Sequence, residues 1–405
     1  PGPASARNRI GGTSAVSASI VVASAWLASC IPQANTRSAA SAPAQAAAEP
    51  AIEVPTAVRE ALVPRTRVAS GLDNPRGMHV AEDGSLVVSI AGTGDPASPD
   101  TGGLLRLRDH NADGDFDDEG ERSALLTGQP SKNILDIVRR DEVFGMAGIA
   151  AGEGTVLAGL AFFGGPSTIF RIDGDQVSQW GRVHGNVNDL TYDDKRKQWV
   201  AVASTTDEVI RLIPGGRAER IVKFSTLDSG QDAVPGYLVH DPRTGDLLVS
   251  LFSGSPEGEE GGDGTEIVPR SASIVRVTPE TKSVTPVVTS LTVPTDLALG
   301  PDGSIYVLEF CDAFLDPVET RADMARGPSH GGFRRFSGRR LRIDRERGGV
   351  SVLATGLDAP TNLALVGQHL YIAQGMGTQG RAIPGPDGAP VPLTGFIERL
   401  SLPTD

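Results

Sequence analysis

The stretch VPTDLALGPDGSIYVLEF, residues 293–310, decides the fold of this 405-residue chain. Apolar residues alternate along both of its arms, which are separated by a Gly-Pro-Asp-Gly-Ser turn at 300–304. Alternation of period two is typical of a β-strand, and a glycine-bearing turn between two such runs is typical of a β-hairpin. The stretch therefore predicts a hairpin that is introduced by a proline-containing connection.

The same unit returns along the chain. Two further clear copies are GLDNPRG at 71–77 leading to DGSLVV at 83–88, and GLDAPTN at 356–362 leading to LYI at 370–372. Weaker copies lie at 146–157, 188–200 and 236–248. A third strand follows most hairpins and a fourth follows several. A chain of this length exceeds one ordinary core unless a small unit repeats. Six units of four antiparallel strands predict an all-β, six-bladed β-propeller over residues 64–402.

The two ends of the repeat region predict how the ring closes. The last unit stops after its third strand, at 396–400. The segment 65–69 precedes Gly71-Leu72 as Leu353-Ala354 precedes Gly356-Leu357. We therefore expect the N-terminal strand to supply the missing fourth strand of the last blade, at low loop-closure cost once the other strands are paired.

The first 63 residues predict an export signal followed by a flexible tether. Arg7 and Arg9 precede an uncharged stretch that ends at Leu27-Ala28-Ser29-Cys30, which looks like the lipobox of bacterial lipoproteins. Residues 1–30 then form a lipoprotein-type signal peptide with lipidation at Cys30, and residues 31–63 form a flexible tether rich in Ala, Ser and Pro. A soluble secreted form and a retained anchor helix are the alternatives. The expected location is extracytoplasmic, at the periplasmic side of a membrane or at the cell surface.

The net charge and the cysteine count limit the classes of binding partner that we expect. A net charge of −13 argues against nucleic acid and against an anionic membrane surface, since both demand a basic footprint. The membrane is then reached through the lipid anchor only, and we expect a monomer. The two cysteines, Cys30 and Cys311, exclude a disulfide scaffold.

The three clear copies of the repeat carry a resemblance to the ScyD/ScyE family of secreted six-bladed propellers. The chain more distantly resembles propellers of the NHL, gluconolactonase and soluble sugar dehydrogenase type. The resemblance spans most of residues 66–400 and implies the architecture and a secreted setting. It implies no particular reaction, because the shared residues are mostly turn and packing residues. Gluconolactonase-like propellers hold a divalent cation with carboxylate and amide oxygens.

The predicted channel mouth is the first candidate site. Long insertions follow the second strands, at 91–103, 252–272, 310–338 and 374–394, and these loops gather on the face where the first strands begin. Aligned copies place Gly77, Ala147, Asp189, Tyr237, Asp296 and Asn362 at one level around the channel. The candidate ligand-binding residues are Arg76, Asn188, Asp189, Tyr237, Asp296, Glu309 and Asn362. The carboxylate and amide oxygens of Asn188, Asp189, Asp296, Glu309 and Asn362 suit Ca²⁺ or Mg²⁺. Alternatively, Asp and Asn here cap backbone N–H groups.

An acidic loop is the second candidate site. The stretch DHNADGDFDDEGE, residues 109–121, places oxygens at alternate positions around a glycine at position 6, the spacing that wraps a chain about Ca²⁺. The candidate metal ligands are Asp109, Asn111, Asp113, Asp115 and Asp117. The expected glutamate is Glu121, one place late. We expect a structural Ca²⁺ loop between the third and fourth strands of the first blade, with a solvated acidic turn as the alternative.

Two functions remain open at this level. The first is binding of a small molecule, glycan or protein at the loop-rich face. The alternative is a metal-dependent lactonase or sugar-type oxidoreductase at the channel mouth, using Asp189, Asp296, Asn362 and Glu309. Nucleophilic catalysis has little support, because no Gly-x-Ser-x-Gly elbow occurs and, of the six histidines, only His184 lies in a connection to the mouth face.

Overall fold

The computed structural model describes residues 50–133, 141–161, 165–256, 268–312 and 333–402. The predicted signal peptide, the lipidation site Cys30 and most of the predicted tether lie outside these residues, as do parts of two insertions, 257–267 and 313–332. In the described ranges the regular structure is β-strand, apart from one 3₁₀ turn at Ser204–Thr206. The described residues contain no helix long and apolar enough to span a bilayer.

Six blades, each of four antiparallel strands, confirm the predicted propeller, and in five of them the four strands are consecutive in the chain. Blade 1 consists of Pro75–Val80, Leu86–Ile90, Gly102–Leu107 and Arg122–Gln129. Blade 2 consists of Met146–Gly152, Thr155–Leu160, Ser167–Asp173 and Gln176–Val183. Blade 3 consists of Val187–Asp193, Gln198–Ala203, Glu208–Ile213 and Arg217–Lys223.

The second half of the ring repeats this order. Blade 4 consists of Gln231–His240, Leu247–Pro256, Ala272–Thr278 and Ser283–Leu291. Blade 5 consists of Pro294–Leu299, Ile305–Glu309, Gly338–Ile343 and Val350–Leu357. Blade 6 consists of Pro360–Val366, His369–Gln374, Gly395–Ser401 and Arg65–Leu72. The last strand comes from the N-terminal side of the chain, so the predicted closure is confirmed.

The first strands form a closed inner ring. Each contacts the first strands of both neighbouring blades. Two threonines at equivalent positions join neighbouring blades in the same way, because Thr295 Oγ1 donates to Pro360 O at 3.1 Å and Thr361 Oγ1 donates to Pro75 O at 2.8 Å. Side chains at one level of the six first strands therefore face a common channel.

Six apolar clusters occupy the six blade-to-blade interfaces. The alternation of the second strands explains how one strand serves two interfaces. Leu86 and Val88 pack toward blade 6, whereas Val87 between them packs toward blade 2. Both faces of each strand are thus buried, which is why these stretches are apolar at nearly every position.

The N-terminal side of the propeller departs from the prediction. Residues 31–63 were expected to form a tether, but Ile52–Glu53 pairs in parallel with the outer strand of blade 4 and Arg59–Glu60 pairs with the outer strand of blade 5. Val54 is fully buried against the core between these blades. The prediction is therefore wrong for this part, because outer strands present unpaired backbone groups that a short extended segment with few apolar residues can satisfy.

Two small hairpins are added on the mouth face. Ala382–Pro384 pairs with Pro390–Pro392 inside the insertion of blade 6. Lys132–Asn133 pairs with Val143–Phe144 in the connection between blades 1 and 2, a hairpin that the repeat pattern did not predict.

Candidate functional site

Two carboxylates of the inner ring each bind the next blade. Asp189 Oδ2 accepts a hydrogen bond from Leu238 N at 3.1 Å, and Asp296 Oδ2 accepts one from Leu363 N at 2.8 Å. In both cases the donor is a backbone N–H of the next blade. It belongs to the residue that directly follows the one aligned with the aspartate on that blade's first strand. The Asp296 carboxylate also accepts from Leu297 N at 2.7 Å and from the Asn362 amide at 3.3 Å. These contacts are the backbone-capping role that the sequence left as an alternative.

Burial changes the acidity of both groups. Desolvation raises the pKa of Asp189 well above its ordinary value, and the nearby charge of Asp296 raises it further. Desolvation also raises the pKa of Asp296 to about 7, against the opposing effect of its N–H donors. The ring therefore disfavours carrying two negative charges at once.

A cavity of about 600 Å³, open solvent included, lies at the channel mouth. Its polar side is lined by Arg76, Asp141, Glu142, Asn188, Tyr237 and Thr295. Its apolar side is lined by Phe252, Val293, Phe310, Phe333 and Met376. An adjoining cavity of about 290 Å³ shares Arg76, Glu142, Asn188 and Tyr237 with it and adds Asn362. An apolar wall facing a few polar groups is the usual composition of a small-molecule site.

Arg76 is the cation of this cavity. Its Nη2 donates to Val143 O at 2.8 Å, whereas its Nε is buried without a hydrogen-bond partner. Among the described residues no carboxylate lies within ion-pair distance of Arg76. The Tyr237 hydroxyl lies within its electrostatic reach, and burial raises the pKa of Tyr237 above the ordinary value. The phenol is therefore protonated at neutral pH, so Arg76 and Tyr237 present hydrogen-bond donors on one side of the mouth.

The apolar wall is built by the insertions. Phe310 and Phe333 pack edge to face with ring centroids 4.7 Å apart, and they share a buried cluster with Val293 and Met376. Arg335, two residues after Phe333, forms an ion pair with Asp358, which precedes Ala359 of the same cluster; the two side chains are 1% and 4% exposed. Packing of the wall within the protein reduces the ordering cost of binding.

The structure divides the seven predicted ligand-binding residues into three groups. Arg76, Asn188, Tyr237 and Asn362 line the mouth cavities. Asp189 and Asp296 lie in the ring and are hydrogen-bonded to backbone N–H groups.

Glu309 forms the third group, because both of its carboxylate oxygens are engaged. Thr292 N donates to one at 2.7 Å and Arg339 donates to the other at 2.6 Å. Gln374 occupies the same place in blade 6, where its amide oxygen accepts from Asp358 N at 2.8 Å. The repetition indicates that the last residue of the second strand holds the connection that enters the first strand of its own blade.

Sequence reasoning missed the aromatic wall and Glu142. Phe252 and Phe310 stand at the first positions of two predicted insertions, and a large aromatic residue repeated at that position was an available signal. Phe333, Met376 and Glu142 carry no comparable signal, because their approach to the mouth depends on how irregular segments fold back.

The acidic loop lies where it was predicted, between the third and fourth strands of blade 1. Asp109, Asn111, Asp113 and Asp115 each accept a backbone N–H from within the loop, at 2.9 to 3.2 Å. Asp117 instead accepts from Ser70 N of the closing strand at 2.8 Å and binds Arg122. In the part of the chain that the structure describes, no three His, Cys, Asp or Glu side chains converge as metal ligands.

No protein-family model and no curated protein matches this sequence. Solved structures share the fold. A calcium structure of a carbohydrate-active enzyme of family AA12 from Trichoderma reesei matches 85% of this chain and 97% of its own, with a TM-score of 0.50 and 12% identity. A structural-genomics protein of unknown function from Bacteroides thetaiotaomicron VPI-5482 matches 85% of this chain and 73% of its own, with a TM-score of 0.50 and 11% identity.

A PQQ-bound aldose sugar dehydrogenase from Streptomyces coelicolor matches 84% of this chain and all of its own, with a TM-score of 0.45 and 15% identity. At these identities the likeness concerns the fold alone. The chain is a six-bladed β-propeller, a fold that it shares with the family AA12 enzyme.

Proposed function

We propose that this protein is an exported, lipid-anchored propeller that binds a small organic anion with an apolar body in the mouth cavity. One observation carries the proposal: Arg76, without a carboxylate partner among the described residues, and the protonated Tyr237 line the same cavity as Phe252, Phe310 and Phe333. The anionic group is placed at the donors and the apolar body against the aromatic rings. The lipobox-like Cys30 and the ScyD/ScyE resemblance support the extracytoplasmic setting.

A pair of fluorescent probes tests the site. 1-Anilinonaphthalene-8-sulfonate carries a sulfonate on an aromatic body, and N-phenyl-1-naphthylamine has the same rings without it. We expect Arg76→Met to weaken the sulfonate probe by tenfold or more, since a charge-assisted hydrogen bond contributes about 1.5–3 kcal/mol and about 1.4 kcal/mol is tenfold in affinity. The same variant should change the affinity of the neutral probe less than about threefold.

Two further variants locate the binding. Phe310→Ala should weaken both probes, because it removes the shared aromatic contact. Arg171→Met is the control, since Arg171 is 46% exposed and lies away from the mouth on the third strand of blade 2. If Arg76→Met and Arg171→Met lower the affinity for the sulfonate probe equally, the effect is one of general charge and the proposed site is refuted.

The metal-dependent lactonase or oxidoreductase is the second candidate. It would use Asp189, Asp296, Asn362 and Glu309. The carboxylates of Asp189 and Asp296 already accept backbone N–H groups, and Glu309 is held by Arg339, so binding is the function that this geometry favours. A metal-dependent turnover that disappears on replacement of Asp189 or Asp296, with unchanged thermal stability, would reverse this order.

The acidic loop is proposed as a structural calcium site. Its donor set of carboxylate and amide oxygens suits a hard cation, and Asp109, Asn111, Asp113 and Asp115 are the residues that would hold Ca²⁺. A bound ion would neutralise the charge of a loop in which the carboxylate of Asp113 already raises the pKa of Asp118.

A further inference from the structure

The face opposite the mouth carries a separate cavity beneath blades 4, 5 and 6. It encloses about 1000 Å³, open solvent included. Its walls are the turns between the first and second strands of these blades, together with Arg345 from the turn between the third and fourth strands of blade 5. None of the described residues that line this cavity also lines the mouth cavities.

Arg345 lines this cavity, and one nitrogen of its guanidinium has no hydrogen-bond partner among the described residues. The side chain is 10% exposed. Its Nε donates to Gly303 O at 2.6 Å and its Nη1 donates to Asp241 Oδ2 at 2.6 Å. Its Nη2 is buried and has no hydrogen-bond partner among the described residues. A buried N–H of a charged group that lacks a partner is costly, so this atom favours an acceptor supplied from outside the chain.

A second arginine is held at the same turn. Arg243 Nη1 donates to Asp302 O at 3.4 Å, next to the Gly303 carbonyl that Arg345 binds. Arg243 is 47% exposed, and its ion-pair partner Glu346 lies 3.9 Å away on the surface. Asp241 is paired with Arg345, so the two arginines face one buried carboxylate. The lining is therefore cationic in a chain of net charge −13.

The rest of the lining is largely apolar. Val239, Pro242, Leu299, Pro301 and Leu365 all contribute to it. We propose that this cavity is a second binding site, which takes a carboxylate attached to a short apolar chain. The carboxylate accepts hydrogen bonds from Arg345 Nη2 and from the Arg243 guanidinium, and the chain lies along the apolar residues.

Titration calorimetry with hexanoate tests the proposal. The measurements are made on the Arg76→Met protein, so that binding at the mouth is suppressed. Hexanamide serves as the neutral analogue and inorganic phosphate as the anion without an apolar chain. We expect hexanoate to bind with one site per chain, and to bind at least tenfold more tightly than either of the other two probes.

Three variants assign this binding to the two arginines. Arg243→Met removes an exposed cation and should weaken hexanoate about tenfold without unfolding the protein. Arg345→Lys keeps a charge beside Asp241 but removes the forked donor, and it should weaken hexanoate to a similar extent. Arg347→Met is the matched control, because Arg347 lies in the same turn, is 87% exposed and does not line the cavity. This variant should bind hexanoate within twofold of the parent.

Each contrary result overturns the site in its own way. If hexanoate does not bind, or if hexanamide binds equally tightly, the cavity is not an anion-specific site. If phosphate binds as tightly as hexanoate, the apolar residues of this cavity do not contribute to binding. Equal weakening in Arg347→Met and Arg243→Met shows a general charge effect. The mouth cavity is tested separately with the two fluorescent probes. If neither probe binds at the mouth, the proposal for this second cavity is unaffected.

Discussion

The inner ring and the acidic loop use the same side chain in opposite ways. In the ring, Asp189 and Asp296 bind backbone groups 49 and 67 residues away, and both carboxylates are buried. In the loop, Asp109, Asp113 and Asp115 bind groups at most five residues away, and the carboxylate of Asp113 is exposed. The ring carboxylates hold neighbouring blades together, whereas most of the loop carboxylates hold only their own turn. The difference teaches that burial and the distance of the partner, and not residue type, decide what an aspartate contributes.

Replacing a ring carboxylate should have the largest effect on stability. Asp296→Ala leaves the N–H groups of Leu363 and Leu297 without an acceptor in a buried site. At about 1–3 kcal/mol for each of these two buried unsatisfied groups, we expect the free energy of unfolding to fall by about 2–6 kcal/mol. Urea denaturation at pH 6 measures this change, and Asp189→Ala should behave similarly. If Asp296→Ala is as stable as the parent, the carboxylate is no blade-to-blade contact and its role as a metal ligand gains weight.

Calcium should have the next largest effect, and it should act through the loop alone. The loop is docked on the closing strand of blade 6, since Phe116 N donates to Val68 O at 2.7 Å and Ser70 N donates to Asp117. Ca²⁺ bound there would stabilise the closure of the ring. At 100 times its dissociation constant, Ca²⁺ should raise the free energy of unfolding by about 2.7 kcal/mol.

Thermal unfolding in Ca²⁺ and in EDTA measures this difference. Asp113→Ala should abolish it, whereas Asp296→Asn, which changes only the ring, should retain it. Identical melting temperatures in Ca²⁺ and EDTA would leave a solvated acidic turn as the correct interpretation of the loop.

The pH dependence of stability should also separate the two regions. Asp296 has a raised pKa of about 7 in the folded state, so between about pH 4 and pH 7 the folded protein holds a proton that the unfolded chain has lost. Its contribution to stability is therefore full below pH 4 and decreases as the pH rises toward 7, with a slope of about 1.4 kcal/mol per pH unit. Above pH 7 this contribution is constant.

Urea titrations of the parent and of Asp296→Asn at pH 5, 6, 7 and 8 test the sign. The difference in stability between the two proteins should shift in favour of Asp296→Asn up to pH 7 and then level off. A difference that is constant across the range would show that burial does not perturb this carboxyl.

The same contrast explains how much the sequence could predict. The acidic loop was placed correctly because its residues are contiguous and their spacing is the signal. The ring level of Asp189, Tyr237 and Asp296 followed from aligning hairpins, because a repeat converts distant positions into neighbours. Phe333 and the strands at Ile52–Glu53 and Arg59–Glu60 were missed, since irregular insertions and edge pairings depend on which surfaces the finished ring leaves uncovered.

The smallest effect is expected within the loop, at Asp118. The charge of Asp113 is the main cause that raises the pKa of Asp118 above its ordinary value, with smaller contributions from burial, Glu121 and Asp115. Asp113→Asn removes that charge, so the pKa of Asp118 should move back toward the ordinary aspartate value in EDTA. An NMR titration of the Asp118 carboxyl carbon measures the change, while the urea midpoint in EDTA should stay the same. If the midpoint instead falls as it does for Asp296→Ala, the loop carboxylate supports more than its own turn, and the distinction between the local and the assembled site is lost.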